Sequence, residues 1–283
     1  MKHRGEDGGS YFLNGPAAPI NYEVDFRCDE NDQIQRLLDD LYSYGTNPIT
    51  KVLHRNRINL FYLLIKGLIE EQVVQRFDSA IDIGCNAGFY AKLISDLGFK
   101  DVLGIDIVDQ YISKANSTFS FLSRSKTLTY ELLSAEEIPT SRRYDLVLCT
   151  EVIEHTHDPQ KVADNIASIL NVGGIAIVSL PNAWSLPFLA SRLKSFLTRK
   201  EFDEAIKAHV KYPFWKILRL FGFKHMEVIT ITGQNLFFVG PEFRFLYGRK
   251  GFRFINQLNF YLSQLWPFKF FAQSFWIVLK RTY

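Results

Sequence analysis

Glu151, Glu154 and His155 stand at i, i+3 and i+4 in the run Glu-Val-Ile-Glu-His. If the backbone there turns as a helix, the three side chains share one face. Two carboxylates so close repel each other unless a proton or a cation joins them. A divalent ion such as Mg²⁺, Mn²⁺ or Zn²⁺ tolerates mixed oxygen and nitrogen ligands. Without an ion, His155 remains a candidate general base, because imidazole titrates near neutrality. A second chemical feature lies upstream, at Asp82-Ile83-Gly84-Cys85-Asn86-Ala87-Gly88. A short apolar run ends here in a glycine turn that opens into the pattern Ala91, Leu93, Ile94, Leu97. Gly84 and Gly88 let backbone approach a ligand where a Cβ would collide. The helix behind them offers N–H groups that have no partner within the helix. Asp106 closes the next strand, and a carboxylate there suits a ribose diol. Taken alone, the loop fits NAD, another nucleotide, S-adenosylmethionine or a plain strand-to-helix turn.

These residues need a sheet to bring them to one edge. Strands are predicted at 80–84, 102–107, 128–133, 145–150 and 175–180, alternating with helices that follow residue 88 and span 110–119 and 162–170. The strands read as continuous apolar runs, such as Leu146-Val147-Leu148 and Ile175-Ala176-Ile177-Val178, which marks strands covered on both faces. The pattern is that of a doubly wound, Rossmann-like α/β sheet with ligands at the C-terminal strand edge. Residues 1–20 are rich in Gly, Pro and charge and are expected to be a disordered tail. Residues 21–57 are expected to form an N-terminal helical cap, with a helix over 31–44 and with His54, Arg55 and Arg57 closing one side of the site. Ile58, Phe61, Ile65 and Leu68 form one apolar stripe that should pack on the sheet. The main domain then covers 58–283. Within it, a lid is expected over 184–211, carrying the stripe Leu186, Leu189, Leu193 and Leu197. That helix either caps an acceptor or packs on the core. A C-terminal aromatic insertion is expected over 236–272, containing an amphipathic helix with Ile255, Leu258, Leu262 and Leu265. Further strands fall at 228–232 and 274–279.

The totals narrow the function classes. A net charge of +3 is too mild to argue for nucleic acid. Hydrophobic residues make up 47% of the chain, enough for a sizeable core. Cys28, Cys85 and Cys149 show no ligand spacing and fit a reducing compartment. No run has the length of a membrane span, and the N-terminus lacks the apolar core of a signal peptide. The expectation is a cytoplasmic protein. Many of the 25 Phe and 13 Tyr crowd into the last fifty residues. There, 237–271 mixes aromatics with Arg and Lys, so peripheral membrane contact, an apolar substrate entrance, a packed insertion and a dimer interface all stay open.

Several motifs in order carry a family resemblance. Asp82–Gly88 resembles motif I of class I S-adenosylmethionine-dependent methyltransferases, with Asn86 at the middle glycine position. Gly104-Ile105-Asp106-Ile107 is similar to their second-strand motif, and Ser134-Ala135-Glu136-Glu137-Ile138-Pro139 to the third. Tyr144–His155 is similar to the fourth, and Gly173-Gly174 and Leu180-Pro181-Asn182 also fit. The resemblance covers roughly residues 60–232 and the final strand. It implies a seven-stranded sheet with the last strand antiparallel and S-adenosylmethionine as cofactor. It places Asp82, Gly84, Cys85, Asn86, Gly88, Asp106, Ile107, Ala135, Glu136, Thr150 and Glu151 around that cofactor. Asp82 would meet the methionyl amino group, Asp106 the ribose hydroxyls and Ile107 the adenine. Glu-x-x-Glu-His also resembles the motif of the ubiquinone-biosynthesis O-methyltransferases. That implies a metal set of Glu151, Glu154, His155 and His209, or else His155 and His209 as catalytic bases. The expected acceptor is a small molecule or glycan intermediate methylated on O or N. RNA 2′-O-methylation, a membrane-associated quinone-type acceptor and an inactive cofactor-binding scaffold are the alternatives.

Overall fold

The structure is a computed structural model that describes residues 20–26, 33–42, 48–119, 127–198, 211–222, 225–237 and 251–283. His209 and Cys28 lie outside them, as do most of the N-terminal tail and the second half of the expected lid. The first elements are α1 (Gln33–Tyr42), α2 (Pro48–Glu70), β1 (Ser79–Ile83), α3 (Phe89–Asp96), β2 (Asp101–Asp106), α4 (Asp109–Phe119), β3 (Thr127–Leu132) and β4 (Tyr144–Thr150). After a 3₁₀ turn at Ile153–His155 come α5 (Pro159–Ile169), β5 (Leu170–Pro181), α6 (Leu186–Thr198) and α7 (Phe214–Phe221). The chain ends with β6 (Met226–Gln234), α8 (Phe252–Leu262), a 3₁₀ turn at Phe268–Phe271 and β7 (Ser274–Arg281). Helix α2 runs unbroken through position 57, so the last residues of the expected cap and the first of the main domain share one helix.

The strands form one seven-stranded sheet in the order β3-β2-β1-β4-β5-β7-β6. β1 to β5 are parallel, and β7 runs antiparallel to both β5 and β6. The alternation of side chains along each strand divides the core in two. Leu146, Leu148, Ile175 and Ile177 face a layer that includes Ile58, Phe61, Ile65 and Leu68 of α2, so the predicted stripe is buried. Val147, Cys149, Ala176 and Val178 face α5 and α7 on the other side. The order changes direction between β1 and β4, and the loops after β1, β2 and β4 therefore open on one edge.

Two helices leave apolar residues of their predicted stripes exposed. α6 is helical over the predicted stripe, yet none of its residues is buried. α8 is also helical, but it turns Asn256, Asn259 and Phe260 inward and leaves Leu258 exposed. The reason is a buried amide network. The Asn56 Nδ2 donates to Asn235 Oδ1 and to Asn256 Oδ1, each at 2.8 Å. Asn256 Nδ2 returns a bond to Asn56 Oδ1 at 3.2 Å, and Asn259 Oδ1 accepts from the Leu236 and Phe237 N–H groups at 2.8 Å. Pairing of buried amides outranks burial of leucine, because an unpaired amide costs more than the apolar area gained.

This network fixes α2 against the C-terminal segment. Asn256→Ala is expected to destabilise the protein by about 1–3 kcal/mol, the cost of a buried polar partner left unsatisfied. Leu258→Ala, on the exposed face, should change little. Urea unfolding of both variants checks this; equal stability of Asn256→Ala and wild type would contradict it.

Candidate active site at the strand edge

The loop after β1 is built by backbone pairing and side-chain exclusion. The N–H groups of Gly84 and Cys85 both donate to the Ile105 carbonyl, at 2.8 and 2.9 Å. Gly84 (φ 72°), Asn86 (φ 49°) and Gly88 (φ 87°) are all left-handed. Asparagine tolerates that region better than most residues, so Asn86 preserves the backbone form of a glycine at the same place. Its Oδ1 also accepts the Ala87 N–H at 2.7 Å. A Cβ on Gly84 would come within 2.3 Å of Val152 Cγ2. One on Gly88 would lie 2.6–2.8 Å from the Tyr130 ring. The space these glycines leave is taken here by Val152 and Tyr130, where the sequence suggested room for a ligand. Tyr130 also covers Gly104 and donates its hydroxyl proton to the Gly88 carbonyl at 2.9 Å. Its part in the site escaped the sequence reading, since a tyrosine in a strand looks like any other core aromatic.

Asp106 links two loops. One carboxylate oxygen accepts the Asn86 N–H and the other the Val108 N–H, each at 2.9 Å. Each carboxylate oxygen can accept more than one hydrogen bond, so capacity for a diol remains. Ile107 beside it is exposed, an open apolar surface at the expected adenine side. Asp82 lies deeper. It is 1% exposed, its Oδ2 has no hydrogen-bond partner, and its pKa is raised to about 8. Burial is the main cause and the nearby Asp106 charge the next, opposed by an N–H from Ala91. A buried acceptor without a donor fits a ligand that brings its own N–H groups, as an amino acid ammonium does. Cys85 and Cys149 are buried and their thiols are pushed upward by burial, so they serve packing.

The residues after β4 separate from one another. Glu151 has left-handed backbone (φ 54°), an uncommon state for a non-glycine that costs on the order of 1–3 kcal/mol. Its N–H donates to the Ser179 carbonyl at 3.1 Å, and Ser179 Oγ donates to its Oε1 at 3.2 Å. Its Oε2 faces Arg57 Nη2 of α2 at 3.9 Å. Glu154 turns inward instead. Both its carboxylate oxygens are buried without a hydrogen-bond partner, and its pKa is pushed up to about 9, first by burial and then by Glu151. His155 stays half-exposed, its Nε2 4.0 Å from Glu154 Oε1. The three side chains therefore do not share one face: the left-handed Glu151 precedes a 3₁₀ turn that sends Glu154 inside and His155 outside. Among the described residues, no three His, Cys, Asp or Glu side chains stand together as a metal site.

The remaining expected residues frame the rim. Thr150 ends β4 half-buried. Ala135 is buried, and its carbonyl accepts from Asn165 Nδ2 at 2.9 Å. Glu136 Oε1 accepts the His157 and Asp158 N–H groups at 2.8 and 3.3 Å, which ties the third-motif loop to the turn after His155. From α2 come Arg57 and the half-buried His54, the latter held well below the ordinary imidazole value by desolvation and then by Arg57 and Arg55. Tyr90 of α3 packs against His54 and Phe61, its buried hydroxyl without a hydrogen-bond partner.

Comparison with known proteins bears on this edge. Residues 53–233 match the family model described as Methyltransferase domain. The chain is 30% identical over 139 residues to the ubiquinone biosynthesis O-methyltransferase of Rickettsia typhi, covering 49% of this chain and 55% of that protein. It is 31% identical over 144 residues to the Nitrosomonas europaea protein of the same name, covering 49% and 57%. The matches thus span about half the length of these curated relatives. Among solved structures, the magnesium protoporphyrin IX methyltransferase of Synechocystis PCC 6803 with bound SAH superposes with a TM-score of 0.60 at 13% identity, covering 90% of this chain and 97% of that one. The N-methyltransferase NodS of Bradyrhizobium japonicum WM9, in complex with S-adenosyl-L-homocysteine, gives 0.51 at 13% identity, covering 87% and 93%. At such identities these two report a shared fold.

The buried acids give a pH signature. Glu154 and Asp82 hold their protons in the ligand-free fold to about 9 and about 8. In the unfolded chain they ionise near pH 4. The folded state therefore binds more protons, and stability is full below pH 4 and lost as pH rises toward those folded values. Thermal unfolding of the ligand-free protein should show stability falling between pH 5 and 8, by on the order of 1 kcal/mol per pH unit per group. Glu154→Gln should flatten that slope. A slope unchanged by the substitution would show that Glu154 is ionised in the fold.

Proposed function

Because the chain belongs to the methyltransferase-domain family, we propose that it transfers the methyl group of S-adenosylmethionine to an oxygen or nitrogen nucleophile of a small-molecule acceptor. The observation that carries this reading is the pair of carboxylates at two depths of one strand edge. Asp82 is buried with an unpartnered oxygen, and Asp106 is shallower, bridging two loops. That spacing of roles suits one ligand bearing an ammonium at one end and a diol further out. When bound, S-adenosylmethionine supplies a methyl group on a sulfonium, open to in-line attack.

The chain's own residues then have three tasks. Asp82 accepts from the ammonium and Asp106 from the diol, which fixes the cofactor. Gly84, Cys85, Asn86 and Gly88 shape the turn that carries both. Glu151, held by Ser179 and facing Arg57, borders the place where an acceptor enters. Holding acceptor and methyl in line supplies much of the rate, because positioning alone removes a large entropic cost. The attacking hydroxyl or amine must also lose a proton. His155 is half-exposed at the same edge, and we assign it as the group that takes it. The carboxyl of the buried Glu154 lies 4.0 Å from its Nε2, on the inner side of the turn. The curated relatives, which are ubiquinone biosynthesis O-methyltransferases, support oxygen as the nucleophile.

Transfer of a labelled methyl group to a panel of phenolic, alcoholic and amine acceptors tests this reading. His155→Ala is expected to lower kcat by about 10²–10⁴-fold, the usual worth of a positioned general base, with cofactor affinity unchanged. A variant as active as wild type would remove His155 from the reaction. Among the described residues no three possible ligands stand together, so turnover should survive EDTA. Loss of activity in EDTA with recovery on adding Mg²⁺ or Mn²⁺ would instead favour an ion held by Glu151, Glu154, His155 and His209.

A further inference from the structure

Two segments outside the cofactor loops show the same anomaly. α6 is an apolar helix with no buried residue; Leu193 and Leu197 face outward, and Phe196 is 80% exposed. α8 and the turn after it bury asparagines and expose Phe254, Leu265 and Trp266, the last to 78%. A globular helix normally places its apolar stripe against the core. Here α6 turns no residue inward, and α8 buries Phe252 and Phe260 beside its asparagines while Phe254 and the turn after it stay outside.

The two segments share a root. α6 follows the end of β5, and β7 begins beside it, with Pro181 paired to Ser274. Asn182, buried between them, donates from Nδ2 to the Phe270 and Ala272 carbonyls at 2.9 and 2.8 Å. Its Oδ1 accepts the Trp184 N–H at 2.8 Å. Both segments thus leave the sheet at the strand edge that carries Glu151 and His155. Their charge is one-sided. Residues 184–198, 211–222 and 251–271 hold Arg192, Lys194, Lys211, Lys216, Arg219, Arg253 and Lys269 and no Asp or Glu.

From this juxtaposition we propose that the site edge docks on a bilayer surface with anionic headgroups, through the outward faces of α6 and of α8 with its following turn. The charge decides between occupants. A second copy of the chain would oppose cations to cations across a two-fold interface, since the same patch meets itself. An anionic lipid surface takes the cations at headgroup level and the leucine, phenylalanine and tryptophan side chains at the acyl boundary. Such a pose turns the acceptor entrance toward the lipid, so the acceptor class that fits is an amphiphile with an apolar tail. This extension rests on the proposed methyl-transfer reading of the edge.

Vesicle flotation tests it, using the full chain with vesicles of phosphatidylcholine alone or mixed with phosphatidylglycerol. The expected result is partitioning onto the anionic vesicles, weakened by salt and small on phosphatidylcholine alone. The double variant Phe196→Asp/Trp266→Asp should reduce partitioning by about tenfold or more, because charged side chains at the acyl boundary remove apolar burial. Binding of S-adenosylhomocysteine by that variant, measured in parallel, should equal wild type. That readout separates failure of the docking surface from failure of the cofactor site. Absence of wild-type partitioning onto anionic vesicles would overturn the proposal, as would a variant that partitions like wild type. Self-association of the lipid-free protein that the double variant abolishes, or RNA binding that it abolishes without vesicle binding, would assign the surface to another partner and overturn it as well.

Discussion

The carboxylate of Asp106 holds two loops at once. By accepting the Asn86 and Val108 N–H groups, it joins the turn after β1 to the turn after β2. The turn it holds carries three left-handed residues, Gly84, Asn86 and Gly88, and Asn86 is the one among them whose N–H it binds. The turn in turn sets the start of α3 and the depth of Asp82 beneath it. A charge at the rim thus organises the backbone and also contributes to the raised pKa of the buried acid.

Around this centre the structure sorts acidic side chains by depth. Glu151 is kept near Arg57 and Ser179. Glu154 and Asp82 are taken out of water, where the neutral form is favoured. Taking a carboxylate out of water without a partner is expensive, so a fold that does it needs a strong frame. The frame here is the switch point of the sheet, backed by α2, which the Asn56–Asn235–Asn256 bonds pin to the C-terminal segment. The same helix supplies Arg57 and the neutral His54, so the N-terminal part of the chain shapes the site as well as covering the core.

Much of this was legible in the sequence. The strands were visible because each is buried on both faces and reads as an unbroken apolar run, and the stripe Ile58, Phe61, Ile65 and Leu68 packs where its period placed it. Asp106 at a strand end and the glycine turn marked the edge. What could not be read was orientation set by a few buried polar contacts. Leu258 and Leu265 marked an amphipathic helix without saying what its faces meet; both stay outside, and Asn256 and Asn259 take the inside because their partners come from other segments of the chain. The i, i+3, i+4 spacing of Glu151, Glu154 and His155 implied one face, and a single left-handed residue at Glu151 undid it. Tyr130 filling the space beside Gly88 and Gly104 depends on the β2–β3 pairing, which local pattern does not encode.

The claim on which the rest turns is that Asp106 and Asp82 form one cofactor site. Calorimetric titration of S-adenosylhomocysteine into the wild-type protein and into Asp106→Ala tests it most directly. Saturable one-to-one binding by the wild type is expected, with a loss of affinity of about 10²-fold in the variant, as two hydrogen bonds to a charged acceptor would give. Equal affinity in the two proteins would contradict it.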